Sequence, residues 1–218
     1  MVVAACVSAC GMLLAADVEW PTYNGDYSGR RFSELTQINK DNVKSLSLSW
    51  VYRLNGGADP SAAVIKATPI VKDGVMYFTA PDHAWAIDAR TGHEIWKYQW
   101  ASKGGIHLGN RGAGIYENWL YFETPDCHLI SLNRKDGSFR WSQSICNLDQ
   151  MYYSSVAPII IKNHVIVGVS GDDIFGLCTM PFINVSISRT YITSSDISFT
   201  DISDDNIING RKGVCQGD

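Results

Sequence analysis

Short apolar runs broken by turn-forming residues set the pattern of this chain. Thr68-Pro69-Ile70-Val71 meets Lys72-Asp73-Gly74, and Val75-Met76-Tyr77-Phe78 follows at once. The unit returns as Gly114-Ile115-Tyr116, Glu117-Asn118, Trp119-Leu120-Tyr121-Phe122, and again as Ala157 to Val167 around Lys162-Asn163. Runs rich in Val, Ile, Tyr and Phe, bounded by Asp, Asn and Gly, predict strands joined by tight hairpins. Asn163 follows Asn118 by 45 residues.

A second unit follows the first with the same period. Ala86-Ile87-Asp88-Ala89-Arg90-Thr91-Gly92-His93-Glu94-Ile95-Trp96 is echoed by Ser131-Leu132-Asn133-Arg134-Lys135-Asp136-Gly137-Ser138-Phe139-Arg140-Trp141, again 45 residues on. An earlier remnant survives in Leu46-Ser47-Leu48-Ser49-Trp50. Each copy predicts a third strand, a turn in which Gly takes positive φ, and a fourth strand closing on Trp. Four short strands in a repeat of this length predict a blade of a β-propeller, with the Trp as a flat plug between blades. The fold class is therefore all-β, with about three four-stranded blades; the alternative is a β-sandwich with fortuitous similarity.

The period then fails. It carries Asn133, Gly137 and Trp141 to Cys178, Phe182 and Ser186, and no tryptophan follows Trp141. From about Ile174 the chain turns rich in Ser, Thr, Asp and Ile. Residues 174–218 are therefore expected to be foreign to the fold, an irregular tail from a frameshift or broken reading frame; a native insertion is the alternative. Three blades cannot close a ring, and open blade edges are adhesive.

Composition adds limits. The 218 residues are 45% hydrophobic and 18% charged, with net charge −4, which suits a globular chain and gives no basic stripe for nucleic acid. Residues 1–16 are small and apolar and read as a secretory signal ending near Ala15 and Ala16, which places residues 17–173 in the periplasm. Val7-Ser8-Ala9-Cys10 also fits a lipidation site, and membrane association is expected only if Cys10 is lipidated. Six cysteines include no C-x-x-C pair and no zinc spacing.

Several motifs carry a family resemblance. Trp20-Pro21-Thr22-Tyr23-Asn24-Gly25-Asp26-Tyr27-Ser28-Gly29-Arg30-Arg31-Phe32-Ser33 is similar to the entry segment of the pyrroloquinoline quinone (PQQ)-dependent, or quinoprotein, alcohol dehydrogenases. Gln37-Ile38-Asn39, Asn42-Val43, Trp50, Asn110-Arg111-Gly112 and Ser170-Gly171-Asp172-Asp173 extend the resemblance over residues 18–173. It implies an eight-bladed propeller with PQQ near its axis, of which this chain supplies about three blades. It also implies oxidation of a small-molecule alcohol, calcium or another divalent or lanthanide ion as second cofactor, and a cytochrome c as electron acceptor.

The chemistry is consistent with those residue types. PQQ is a flat tricarboxylated quinone that needs cations and hydrogen-bond donors, while a hard cation polarises its carbonyl and takes oxygen ligands. The resemblance gives PQQ contacts to Arg111, Ser155, Ser170, Gly171 and Asp172, and the metal to Asp173, where many members carry Glu. Read without it, these residues also fit a structural arginine, a strand-start hydroxyl and a solvated acidic turn. Two departures stand out. The adjacent cysteines that many members place over the quinone are Gly105 and Ile106 here. Lys66 stands where a cofactor-contacting Glu is usual, reversing the charge.

Cys127 and Cys146 bracket a hairpin. If Leu132 pairs with Phe139, Cys127 faces Ser144 and a bridge to Cys146 is within reach; two buried thiols are the alternative. His107, in a Gly-rich loop, is read as structural. The catalytic aspartate, the tryptophan under the quinone and further metal ligands find no place in this sequence. The chain alone is expected neither to bind PQQ tightly nor to oxidise alcohols. The rival reading is a cofactor-free propeller scaffold of the outer-membrane assembly lipoprotein type.

Overall fold

The computed structural model describes residues 19–54, 65–105 and 109–170, and the backbone of 182–186. The lipidation candidate Cys10, His107 and the acids at 172 and 173 lie outside them.

The predicted hairpins form as two four-stranded antiparallel sheets and a third of three described strands. The first holds β1 (Ile70–Lys72), β2 (Val75–Ala80), β3 (His83–Asp88) and β4 (Glu94–Gln99) in sequence order. The second repeats it with β5 (Ala113–Tyr116), β6 (Trp119–Thr124), β7 (His128–Asn133) and β8 (Phe139–Ser144). The third has β9 (Ile159–Ile161), β10 (His164–Gly168) and β11 (Phe182–Ser186).

The first hairpin of each sheet closes through two residues: Asp73-Gly74, Glu117-Asn118 and Lys162-Asn163. Asp73, Glu117 and Lys162 all hold positive φ near 50°, as a primed turn matched to strand twist requires.

Strand alternation decides which residues meet. On β6, Leu120 and Phe122 turn to the first sheet and pack with Ile70, Tyr77 and Trp96; Tyr121 turns to the third with Val165 and Val167. Burial of each such side chain contributes roughly 1.5–3 kcal/mol. The far face of the first sheet, at Phe78, Trp85 and Ile87, is covered by Trp50, Tyr52 and Leu54.

The repeated tryptophans behave as plugs. Trp50 lies on Gly92 and donates from Nε1 to the Ala89 carbonyl at 3.2 Å; Trp96 lies on Gly137 and donates to the Arg134 carbonyl at 2.9 Å. A Cβ on either glycine would sit 2.6 Å or 2.8 Å from the indole, so both positions exclude a side chain. Trp141, one period later, buries its Nε1 with no hydrogen-bond partner among the described residues.

Two details differ from the sequence reading. Leu132 does pair with Phe139, but a register shift between Ser131 and Leu132 adds a residue, so His128 faces Ser144. Cys127 consequently meets Ile145, whose amide donates to the Cys127 carbonyl at 2.8 Å, and Cys127 and Cys146 are disulfide-bonded.

The second detail concerns β11. Ser186 pairs with His164 as Asp88 pairs with Val75 and Asn133 with Trp119. The counterpart of Asn133 thus comes eight residues later than Cys178, where the 45-residue period places it. One strand of the 174–218 segment pairs with the third sheet; the rest of that segment lies outside the described residues.

Candidate functional site

The site lies where the chain enters the first strand of each sheet. Three equivalent segments are laced together there: the Thr68 amide donates to the Arg111 carbonyl at 3.3 Å, and the Arg111 amide to the Ser155 carbonyl at 2.9 Å. Ile65 bridges Asn110 in parallel, and Tyr153 and Ser170 exchange both backbone hydrogen bonds. Residues more than a hundred positions apart in sequence therefore face one another. Lys66, Gly109, Arg111, Tyr153, Ser155 and Ser170 line a cavity of about 200 Å³.

Arg111 is exposed on this cavity, and its guanidinium donates to Ser155 Oγ at 2.6 Å. The same nitrogen also reaches the Ser155 carbonyl at 3.5 Å, and the fork is oriented by a hydroxyl that is itself buried. Of the sequence-predicted site residues, the structure brings together Arg111, Ser155 and Ser170. Gly171, Asp172 and Asp173 lie outside the described residues. Lys66, read as a departure, lines the same cavity.

The loop carrying Arg111 is fixed from behind by Asn110, a residue the sequence offered as part of a motif but with no role. Asn110 is buried; its Oδ1 accepts from the Gly112 amide at 2.8 Å and from Thr79, and its Nδ2 donates to the Glu123 carbonyl at 2.6 Å. The approach loop is pinned too. Trp100 Nε1, at 3.0 Å, and the Lys103 amide, at 3.1 Å, both donate to Asp126, and a Cβ on Gly105 would meet the Pro125 carbonyl oxygen at 2.1 Å.

Two groups here have displaced proton affinities. Burial alone would raise Asp126, but hydrogen bonds from His128, Thr124, Trp100 and Lys103 outweigh it and hold the carboxyl far below the usual range. Glu123 went unnoticed in the sequence. It is wholly buried, neither oxygen makes a hydrogen bond of normal geometry, and burial lifts it well above the carboxylate range, opposed in part by the Val156 amide. An alternating strand position next to Phe122 gave no sign of it.

A larger cavity of about 390 Å³ separates the opening segment Pro21–Tyr27 from the strands at Ala113–Ile115 and Pro158–Ile160, and Tyr27 donates to the Ile160 carbonyl across it. Its walls are mostly apolar. Arg111 lines both cavities, and Lys66, Ser155 and Ser170 line the smaller one.

Comparison with known proteins settles the family. The glucose/ethanol/alcohol dehydrogenase β-propeller model of the PQQ family matches residues 20–177. This chain is a member of the PQQ-dependent alcohol dehydrogenase β-propeller family. Among quinoprotein relatives, alcohol dehydrogenase PedH of Pseudomonas putida is 35% identical over 154 residues, covering 68% of this chain and 25% of its own length. The 1-butanol dehydrogenase (cytochrome c) of Thauera butanivorans is 34% identical over 190 residues, covering 84% and 25%. The crystal structure of quinohemoprotein alcohol dehydrogenase from Comamonas testosteroni superposes with TM-score 0.67 at 31% identity, over 78% of this chain and 26% of that one. The chain spans about a quarter of the length of the curated relatives it matches. Its sheets correspond to part of a quinoprotein propeller.

Proposed function

We propose that these blades form one wall of a PQQ pocket in a periplasmic alcohol-oxidising propeller, and that this stretch alone lacks the groups that complete the reaction. The convergence of Arg111, Lys66 and three hydroxyls on one cavity is the observation that carries this reading. When bound, PQQ supplies the acceptor for the two electrons of the alcohol.

The chain's own residues bind and orient. The Arg111 fork suits a carboxylate or quinone oxygen, and Ser155 holds that fork in one direction. The Ser155 hydroxyl accepts from Arg111, which leaves its own proton to donate to an acceptor in the cavity. Ser170, tied to Tyr153 through both backbone hydrogen bonds, brings a third sheet's hydroxyl to the same place. These groups fit the tricarboxylated cofactor. Among the described residues the lining carries no carboxylate for calcium, and no cluster of three or more His, Cys, Asp or Glu able to hold a metal occurs among them. Asp173, the proposed metal ligand, lies outside the described residues.

The Cys127–Cys146 bridge supports an oxidising compartment, as the periplasm is. A small alcohol as substrate and a cytochrome c as acceptor are proposed from the relatives. Equilibrium dialysis of PQQ against the full chain and Arg111→Gln tests the pocket. Weak binding by the parent chain, lowered at least about tenfold in the variant, is expected for a lost charge-assisted pair. Equal retention by both proteins would overturn the assignment.

A further inference from the structure

A tie repeated from one sheet to the next stands behind the site. Thr79 and Glu123 hold equivalent places, next to last in β2 and β6. Thr79 Oγ1 crosses to the segment that enters the second sheet and donates to Asn110 Oδ1. Glu123 makes the same crossing one sheet later: its carboxyl lies against the Val156 amide, in the segment that enters the third sheet. Each entry segment is also anchored to its own second strand. Asn110 Nδ2 donates to the Glu123 carbonyl at 2.6 Å, and Ser154 Oγ to the carbonyl of Gly168, the matching residue of β10, at 3.2 Å.

Glu123 thereby meets both neighbours of the Arg111–Ser155 pair. Its carbonyl holds Asn110, the residue before Arg111, and its carboxyl lies against Val156, the residue after Ser155. The peptide joining Ser155 to Val156 is held on both edges: its carbonyl accepts from the Arg111 amide at 2.9 Å, and its N–H faces Glu123. A peptide turns as one plane, so releasing the N–H loosens the carbonyl as well, and with it the 2.6 Å contact between Ser155 Oγ and the guanidinium. The contact is looser than its Thr79 counterpart, since neither carboxyl oxygen reaches normal hydrogen-bond geometry. Filling space does not account for an acid here. Glu123 is wholly buried, and burying an acid costs more than burying a leucine unless a polar group meets it.

We propose that Glu123 is a positioning residue for the Arg111–Ser155 pair, a strut that holds the Ser155–Val156 peptide from outside the cavity lining. It acts through Ser155 and Arg111 and touches no ligand itself. Its consequence for a bound cofactor rests on the pocket reading above, whereas the strut itself is measured in the chain without ligand.

Amide hydrogen exchange of the full chain, followed by NMR, tests the strut in the parent, Glu123→Leu and Glu123→Gln, each checked for folding by circular dichroism. The Val156 amide lies outside the strands and has no backbone acceptor among the described residues. Its exchange in the parent should be slow; exchange at the rate of an open peptide would overturn the strut whatever the variants do. Leucine fills the space without an acceptor. Measured against Leu120 and Ile130 in the core, it is expected to speed exchange at Val156 and Arg111 about fivefold or more, the factor of one hydrogen bond. Glutamine keeps an acceptor and should keep the parent's rates. Unchanged exchange at both amides in Glu123→Leu, or equal acceleration in the two variants, overturns the strut. Equilibrium dialysis of PQQ adds a reading that a merely structural tie would not move. Glu123→Leu should hold PQQ about fivefold less than the parent does, and Glu123→Gln should match the parent. Equal retention by all three, with faster exchange in Glu123→Leu, would overturn the positioning role. No retention by any of them, with the expected exchange, would overturn the quinone reading and leave the strut supported.

Discussion

Trp96 closes over Gly137 of the next sheet and donates to the Arg134 carbonyl at 2.9 Å, while Trp141, one period later, buries the same N–H with no partner among the described residues. The two indoles have equivalent sequence positions and unequal surroundings. Trp96→Phe removes a made hydrogen bond and leaves the Arg134 carbonyl to the Tyr77 hydroxyl, so it is expected to cost about 1 kcal/mol. Trp141→Phe removes a donor that has no partner among the described residues and is expected to be neutral or mildly stabilising. Urea unfolding of both variants checks this; equal losses would contradict it.

Gly137 holds φ +72, and an added Cβ would lie 2.8 Å from Trp96. Gly29 holds φ +71 with nothing within 4 Å. Gly29→Ala therefore isolates the backbone term, about 1 kcal/mol, whereas Gly137→Ala adds overpacking of about 1–3 kcal/mol. Thermal unfolding should rank Gly137→Ala clearly the worse. Similar melting points for the two would show that the plug yields.

The Cys127–Cys146 bridge closes a loop with a sequence separation of 19. Removing a bridge of that span is expected to cost about 3 kcal/mol, mainly through a freer unfolded chain. Reductant should lower the urea midpoint of the parent and leave that of the Cys127→Ala/Cys146→Ala variant unmoved. No response of the parent to reductant would rule the bridge out.

His128 and Asp126 make a pH-dependent contribution. Hydrogen bonding to Asp126 raises His128 above its ordinary 6.5, so its contribution is fully present below about that pH and is lost as pH rises through the higher folded-state value. Asp126 is lowered from 3.8, so its contribution is present above that value and lost as pH falls through the depressed one. Both are present between about pH 4 and 6.5. Because His128 is partly exposed, less than about 1 kcal/mol is expected from the pair. The stability gap between the parent and His128→Gln should be wider at pH 5.5 than at pH 8.5; a gap that widens with pH would refute the pairing.

Glu123 gives the opposite trend. Its folded-state affinity for a proton is raised, so folding favours the neutral acid and stability declines as pH climbs from about 4.5 through the folded value. Glu123→Gln mimics the neutral acid. Fluorescence-detected unfolding across pH should show the variant gaining on the parent as pH rises, and parallel pH curves would exclude a neutral acid there.

Much of this fold was legible because propeller blades repeat. The two-residue turns at Asp73, Glu117 and Lys162, the glycines at 92 and 137, and the plugs at Trp50 and Trp96 all recur at spacings of 44 to 46 residues. What failed was local. A single extra residue on β8, Arg140 between Phe139 and Trp141, moved the partner of Cys127 from Ser144 to Ile145, and no propensity announces a bulge. The late strand Phe182–Ser186 has no turn-and-Trp signature, so the period passed over it. At the site, Arg111, Ser155 and Ser170 were found through family motifs. The Lys66 stem, which lies on Gly109, and the buried Glu123 depend on contacts between distant segments, which a linear pattern does not encode.

The cavity between Lys66, Arg111, Ser155 and Ser170 is proposed to receive PQQ. Amide chemical-shift mapping of the full chain during a PQQ titration tests it most directly. Saturable shifts concentrated at Gly109, Arg111, Tyr153, Ser155 and Ser170 are predicted. Shifts confined instead to Thr22–Tyr27 and Ile159–Ile160 around the larger cavity, or none at all, would contradict it.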